Sequence, residues 1–353
     1  YRVRVLTTGP AGPPSEISAM LFVPRLEEPQ ERPLYVFGSG TTGIGDTCAP
    51  SREHLYQGHL GHARGYLLAY AGRGFTAIVP DYMGYDEPGR VQSYFNAEAE
   101  ARVMLDAVRA VENFFAERDQ ARSDEASVFL GGYSQGGHAA FAAADLRPLY
   151  APELDVDGIM GFGATTSVEA LLREGPYYAP YILLSYLQDY GPDLVDTAEV
   201  LAPRWQRDLE RIAGEQCVDQ AQAYYPFDGA ALYRPEFARA LYDGDLATLY
   251  PGLASILDAS STGLSGHGLP SLLMQGVNDV IVWNETQGAF AHRLCSLGSE
   301  VTYLGYEGVR HKETRPAGFE ASIEWMKRID GSLPTGSDCV ALAQGESSLR
   351  QAP

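Results

Sequence analysis

At 353 residues the chain is long enough for one large α/β domain with an insertion, or for two domains. Its 45 % hydrophobic and 20 % charged composition is that of a soluble globular protein with a sizeable core. With 46 acidic against 26 basic residues the net charge is −20, a surface that repels phosphate backbones and anionic lipid heads, so no nucleic-acid partner is expected.

The chain opens on "YRVRV", without an initiator Met or an apolar leader, so any signal peptide is expected to have been removed or left out. "YRVRVL" and "ISAMLFV" flank the turn-rich "TGPAGPPS" and read as a β-hairpin. "PLYVFG" (33–38) is the next strand, and it runs into "GSGTTGIGD", which spells G-x-G-x-x-G over Gly38, Gly40 and Gly43. A dinucleotide fingerprint should open a helix at its third glycine and meet an acidic residue about 20 positions on. Here Gly43 leads into turn-like "IGDTCAPS", and the acid ending the next strand, Asp81 in "FTAIVPD" (75–81), lies much further away. The loop is therefore read as the cradle of an oxyanion rather than of a pyrophosphate, and no cofactor is expected. His54, His59 and His62 in "REHLYQGHLGH" are offset by too much to share a helix face, so a solvated or capping role is expected and not a metal site. Asp81 and Asp86 sit at a strand's carboxyl end, where turn formation accounts for them as well as a site would.

From Ala97 to Phe115 the apolar residues Val103, Met104, Ala107, Val108, Val111, Phe114 and Phe115 recur at helical spacing. "SVFLGG" (127–132) is a strand that enters "GGYSQGGHAAFAAADL", where Gly132-x-Ser134-x-Gly136 matches G-x-S-x-G. A hydroxyl is a poor nucleophile unless exposed and beside a base. A tight strand-to-helix turn exposes it, and a side chain at 132 or 136 would collide with that turn. Ser134 is the expected nucleophile. His138, four residues on, points down the helix and is given a structural role.

"DGIMGFG" (157–163) is a further strand, and the next comes only at "PSLLMQG" (270–276). So long a connection needs structure of its own, read as an inserted, mainly helical cap. The expected division is 1–164 as the first part of the core, 165–265 as the cap and 266–353 as the second part. Within the cap, "GPYYAPYILLSYLQ" falls short of the roughly 20 apolar residues that a bilayer span needs. Tyr177, Tyr178, Tyr181 and Tyr186 are divided between lining an acyl pocket and packing the cap. "VTYLGYEG" (301–308) is the last strand, and "GESSLRQAP" is expected to fray. Continuous apolar strands separated by helices give an α/β class with a mostly parallel sheet covered on both faces, and with the G-x-S-x-G turn in mid-sheet the expected architecture is an α/β-hydrolase fold.

A serine nucleophile needs a base and an acid that orients it, placed after later strands in the order Ser, Asp or Glu, His. Of the histidines far enough downstream, His311 just past the last strand is the expected base. His267 precedes a strand, and His292 lies inside a helix and reads as partly buried. Asp279, following the 270–276 strand, is the expected acid, with Glu307 as fallback. Oxyanion donors are expected from Thr41 or Thr42 and from the backbone N–H of Gln135; each such donor typically contributes a rate factor on the order of 100 to 1,000. Cys48, Cys217, Cys295 and Cys339 lack C-x-x-C spacing and read as two disulfides of a secreted protein, with three pairings open.

At these residues the chain resembles the secretory lipase family of α/β-hydrolases. The similarity rests on "GDTCAPS", on "GYSQGGHA", on "YAPELDVDGIMG" and on the placement of Asp279 and His311, and it extends from about Leu34 to Cys339. The resemblance implies secreted esterases and lipases without a cofactor, a helical cap holding the acyl pocket, and disulfides Cys48–Cys217 and Cys295–Cys339. It also implies a long C-terminal flap; the short stretch after Cys339 leads to the expectation of a more open site. The reading is a secreted or periplasmic serine carboxylic-ester hydrolase, favoured as a monomer, acting on a small-molecule or lipid ester. An amidase, peptidase or acyltransferase with the same machinery is the alternative, and a binding-only relative the remote one.

Overall fold

The computed structural model describes residues 1–9, 12–25, 32–53, 62–118 and 126–344, together with the backbone of 350–351. Its strands are β1 (Arg2–Thr8), β2 (Pro14–Phe22), β3 (Leu34–Gly38), β4 (Thr76–Pro80), β5 (Val128–Tyr133), β6 (Gly158–Phe162), β7 (Ser271–Gly276), β8 (Val301–Tyr306) and β9 (Arg350–Gln351). They form one sheet in the order β1-β2-β4-β3-β5-β6-β7-β8-β9. β1 pairs antiparallel with β2, and β2 with β4; every later pairing is parallel. Each apolar run in the sequence carries one of these strands. The tail expected to fray contributes β9, which pairs with β8 at Leu304 and Gly305, while 345–349 and 352–353 lie outside the described residues.

Apart from Tyr133 at the end of β5, β3 to β7 are buried along their length because both faces are covered. The pleat divides them: Leu34, Val36, Leu130 and Ile159 face one cluster, while Tyr35, Phe37, Phe129 and Met160 face another. The first face is closed by α2 (Ala97–Ala116) and α3 (Gln135–Tyr150). α2 begins at Asn96, whose side chain accepts the Ala99 N–H, and buries the Val103, Met104, Ala107, Val108 and Val111 stripe. α3 presents Ala139, Ala140 and Ala142 to Ala144, residues small enough to bring its axis close to β5. The second face is closed by α1 (Ala63–Gly72) and by the helix Thr314–Asp330 through Ile323, Trp325 and Met326.

Between β6 and β7 the described elements are helices, opening with α4 (Val168–Glu174) and α5 (Ala179–Tyr190), plus one isolated bridge between Leu201 and Tyr233. These helices bury a third apolar cluster of their own, including Tyr177, Tyr181, Tyr186, Trp205, Phe237 and Leu257. Ile44, Tyr94, Phe95, Ile281 and Val282 reach it from the loops at the carboxyl ends of the strands, so this layer sits over that end of the sheet.

Candidate active site

Ser134 caps α3 with φ 54° and ψ −114°, a backbone conformation an L-residue rarely holds. Strain of this kind costs on the order of 1 to 3 kcal/mol and needs support from its surroundings. Support comes from both directions of the backbone. The Ser134 N–H donates to Phe162 O at 3.0 Å, and its carbonyl accepts from Gly137 N at 3.0 Å and Thr165 N at 3.2 Å. The flanking glycines are required by contact: a Cβ on Gly132 would lie 2.1 Å from the Gly136 backbone, and one on Gly136 would lie 1.8 Å from Gly38 O.

That last contact seats the serine turn on the first glycine loop. Gly38 is the surface on which α3 rests, a Cβ on Gly40 would strike the Tyr133 ring at 2.4 Å, and one on Gly43 would meet Cys217 Cα at 2.8 Å. Protein atoms fill the space beside all three glycines, so packing alone requires glycine at each.

Past the carboxyl ends of β7 and β8, Asp279 and His311 are brought together. His311 Nδ1 lies 2.6 Å from Asp279 Oδ2, with both side chains buried. Asp279 Oδ1 accepts the N–H groups of Ile281 (2.8 Å) and Val282 (3.0 Å), so the carboxylate is fixed by its own loop. The two loops are tied to each other by Asn278, whose Oδ1 accepts Gly308 N–H and whose N–H donates to Val309 O. The His311 ring lies 4.9 Å from that of Tyr133, the residue before Ser134. Gly163, following the carbonyl that holds Ser134, faces the same pair: a Cβ there would lie 3.1 Å from His311 Nδ1 and 3.3 Å from Asp279 Oδ2. His311 Nε2 is buried and makes no hydrogen bond, leaving it able to take a proton.

Of the two threonines in the glycine loop, Thr41 lines the cavity beside Ser134 and shares a 2.6 Å hydrogen bond with Tyr94. Thr42 is buried, contacts Tyr85 Oη at 3.4 Å and accepts Val218 N–H on its carbonyl. The Gln135 N–H is the first of α3, where helix donors have no intrahelical acceptor.

The cavity at Ser134 measures about 310 Å³ and is lined by Thr41, Tyr133, Ser134, Tyr178, Val218 and Gln222 with the charged or basic His62, Asp219, Lys312 and Arg315. Ser134 itself is only 4 % exposed at the floor of this cavity. Tyr178 has its phenol pushed up to about 12, chiefly by burial. The other tyrosines of the inserted helices pack: Tyr181 donates to Gln216 O and Tyr186 to Phe95 O, and the Tyr177 ring lies 4.2 Å from that of Phe227. Arg315 lies over the Tyr133 ring at 4.5 Å, and Lys312 Nζ reaches to 3.6 Å from Asp219.

Of the other candidates, one differs from its expectation. His292 is on a helix but exposed rather than partly buried, because the inward face of Asn284–Ser296 runs through Gln287, Phe290, Ala291 and Leu294. Asp81 does not line the cavity; it accepts Ser51 N–H at 2.7 Å and Ser51 O–H at 2.5 Å, which fixes the "CAPS" turn. Glu307 is exposed in the β8 loop, and His267 lies at the amino end of β7. His62 precedes α1 without a side-chain capping bond, while His54 and His59 lie outside the described residues. Cys48 is bonded to Cys217, and Cys295 to Cys339. His62, Arg315 and Lys312 were missed as cavity residues. Their only sequence signal is that the last two follow His311 within one helical turn.

A parallel sheet with an antiparallel edge, a strained serine turn after its central strand, and a carboxylate–imidazole pair after two later strands define an α/β-hydrolase. The chain belongs to the secretory lipase family, whose profile matches residues 65–337, taking in the serine turn, Asp279 and His311 but not the "GDTCAPS" loop. Lipase A of Moesziomyces aphidis is 24 % identical over 270 residues, which cover 74 % of this chain and 56 % of that protein. A secreted triacylglycerol lipase of Malassezia globosa is 24 % identical over 298 residues, 78 % of this chain and 61 % of that protein. The chain thus spans little more than half the length of these relatives. Candida antarctica lipase A in its closed state has the same fold, with a TM-score of 0.70 at 20 % identity over 99 % of this chain and 85 % of that one. The rice cell wall degrading esterase LipA from Xanthomonas oryzae matches with a TM-score of 0.74 at 18 % identity over 91 % and 88 %.

Proposed function

We propose that the chain is an extracellular serine ester hydrolase of the carboxylesterase or lipase type, acting through an acyl-enzyme on Ser134. The observation that carries this reading is the buried 2.6 Å contact between His311 and Asp279 beside the serine turn. Ser134 Oγ attacks the ester carbonyl carbon and its proton passes to His311 Nε2. Asp279 keeps Nδ1 protonated, which presents the Nε2 lone pair and stabilises the imidazolium that forms. The developing oxyanion is received by the Gln135 N–H and by Thr41, the threonine that shares the cavity with Ser134. The imidazolium then protonates the departing alkoxide, and a water activated by the same nitrogen releases the acid.

Residues 165–265 act as an inserted helical cap on a core made of 1–164 and 266–353. The separate apolar cluster of those helices supports this division. A cavity of about 310 Å³ sits at the small end of ligand pockets, which run from roughly 300 to 1,000 Å³, and favours short acyl or alcohol groups over long chains. Relatives named as secreted lipases support both the ester chemistry and the extracellular setting.

A fluorophosphonate probe should label Ser134, and a series of p-nitrophenyl esters should be turned over best at short chain length. Ester hydrolysis that survives in Ser134→Ala would overturn the assignment.

A further inference from the structure

Beneath the serine turn lies a second carboxylate–imidazole pair that the proposed chemistry does not use. Glu100 on α2 and His138 in the first turn of α3 are both fully buried, with Glu100 Oε2 2.6 Å from His138 Nδ1. The other imidazole nitrogen, Nε2, lies 2.7 Å from the carbonyl oxygen of Ser260. Glu100 Oε1 accepts the Phe95 N–H at 3.0 Å and the Gln135 side-chain amide at 2.7 Å.

Counting protons across this chain gives a definite result. The Ser260 carbonyl can only accept, so Nε2 carries a hydrogen. A neutral ring would then turn the Nδ1 lone pair toward a carboxylate oxygen that is also a lone-pair donor, at a distance of 2.6 Å. A second proton must lie between them, on Nδ1 or on Glu100, and the pair is neutral as a whole in either form. Among the described residues, the phenols of Tyr82, Tyr85, Tyr94 and Tyr186 feel a charge on Glu100, and all four are kept protonated chiefly by burial. The Phe95 ring closes the pair edge-on, 4.9 Å from the imidazole.

We propose that Glu100 is a positioning residue for the nucleophile turn, fixing Gln135 and His138 in one arrangement through a proton held between Glu100 and His138. Gln135 supplies the proposed oxyanion N–H, so Glu100 acts on catalysis through the orientation of the residue after the serine. Ser260 follows the last cap helix, so the same pair also ties the serine turn to the end of the inserted segment. The inference rests on the ester-hydrolase reading for its kinetic part alone.

Two variants and a spectrum test it. In Glu100→Gln the carboxamide oxygen still accepts from Phe95 and Gln135 while its NH₂ donates to His138 Nδ1, so every bond is kept and one proton is lost. This variant should keep kcat within about threefold, a small change beside the roughly 100-fold that misplacing a reacting group can cost. Glu100→Ala, which frees both Gln135 and His138, should lower kcat by about 100-fold while KM moves much less. Imidazole ¹⁵N spectra of the wild type should show His138 with both of its nitrogens protonated, or the single tautomer with Nε2–H beside a protonated Glu100 that persists in carboxyl-carbon spectra. Glu100→Gln should leave Nε2–H alone.

A wild-type spectrum with one N–H on His138 and an ionised Glu100 overturns the shared proton. Unchanged kcat in a folded Glu100→Ala overturns the positioning role, and so does an equal loss in Glu100→Gln. Fluorophosphonate labelling is read alongside. An unlabelled, inactive wild type refutes the hydrolase reading, while the spectra still decide the proton.

Discussion

At the scale of single residues the proposed chemistry depends on lone pairs being aimed. Asp279 uses one oxygen for two backbone N–H groups and the other for His311, so replacing it by Asn keeps the loop but offers His311 an N–H or a flipped amide instead of a charged acceptor. Asp279→Asn should therefore lower kcat by about 10,000-fold with little change in melting temperature. Hydrolysis assays and thermal unfolding of the same preparation check this, and a loss of less than tenfold would contradict the role given to Asp279. These residues were legible because residue type, order and position after a strand together restrict the choice. Glu100 was not, although a carboxylate one turn before Val103 and Met104 on an apolar stripe already demanded a buried partner. The sequence offers no means of finding His138 and Ser260 as that neighbourhood, since they come from another helix and from the far end of the insertion. Thr41 lines the cavity while Thr42 faces Tyr85, a difference that adjacent identical residues cannot express.

At the scale of elements, the approach of α3 to β3 and β5 sets the geometry of the serine turn. Gly136→Ala places a methyl where Gly38 O already stands, so it should cost about 3 kcal/mol and reduce activity in whatever fraction still folds. Chemical denaturation measures this, and a stable, fully active variant would show that α3 can shift without consequence. The "CAPS" turn is held by a different device. Burial is the main cause that raises the Asp81 carboxyl from 3.8 to about 6, with the Ser51 donors pulling the other way. Since the folded state holds this proton more tightly than the unfolded chain, the stability contributed by the group is greatest below pH 4 and is lost as pH rises toward 6. The change amounts to about 3 kcal/mol. Asp81→Asn, which can still pair with Ser51, should flatten the stability profile across that window. A profile identical to that of the wild type would mean that Asp81 is ionised on folding at no cost. The sequence showed this aspartate at a strand's carboxyl end, but not that it served a turn rather than the cavity.

At the scale of the whole molecule, the Cys48–Cys217 bond joins the glycine loop to the inserted helices across 169 residues, while Cys295–Cys339 closes a separation of 44 near the sheet's edge. Opening a long loop costs about 2 to 5 kcal/mol, so removing either pair lowers stability. Only the first lies beside the oxyanion candidates, with Val218 N–H bonded to Thr42 O one residue beyond Cys217. The double variant Cys48→Ala with Cys217→Ala should lose kcat beyond its loss of stability, whereas Cys295→Ala with Cys339→Ala should keep kcat at temperatures where it stays folded. Equal kinetic behaviour of the two would detach the disulfide from the site.

Strand positions, the serine turn and the residues after β7 and β8 are local matters of hydrophobic period, glycine sterics and chain order, and one sequence determines them by itself. The assembly of the cavity, the distribution of tyrosines between lining and packing, and the placing of His62, Arg315 and Lys312 beside Ser134 were decided only by tertiary structure. Those contacts join segments far apart in the chain. Their energies depend on burial and on which acceptor a donor meets, and neither quantity exists until the cap, the loops and the sheet are packed together.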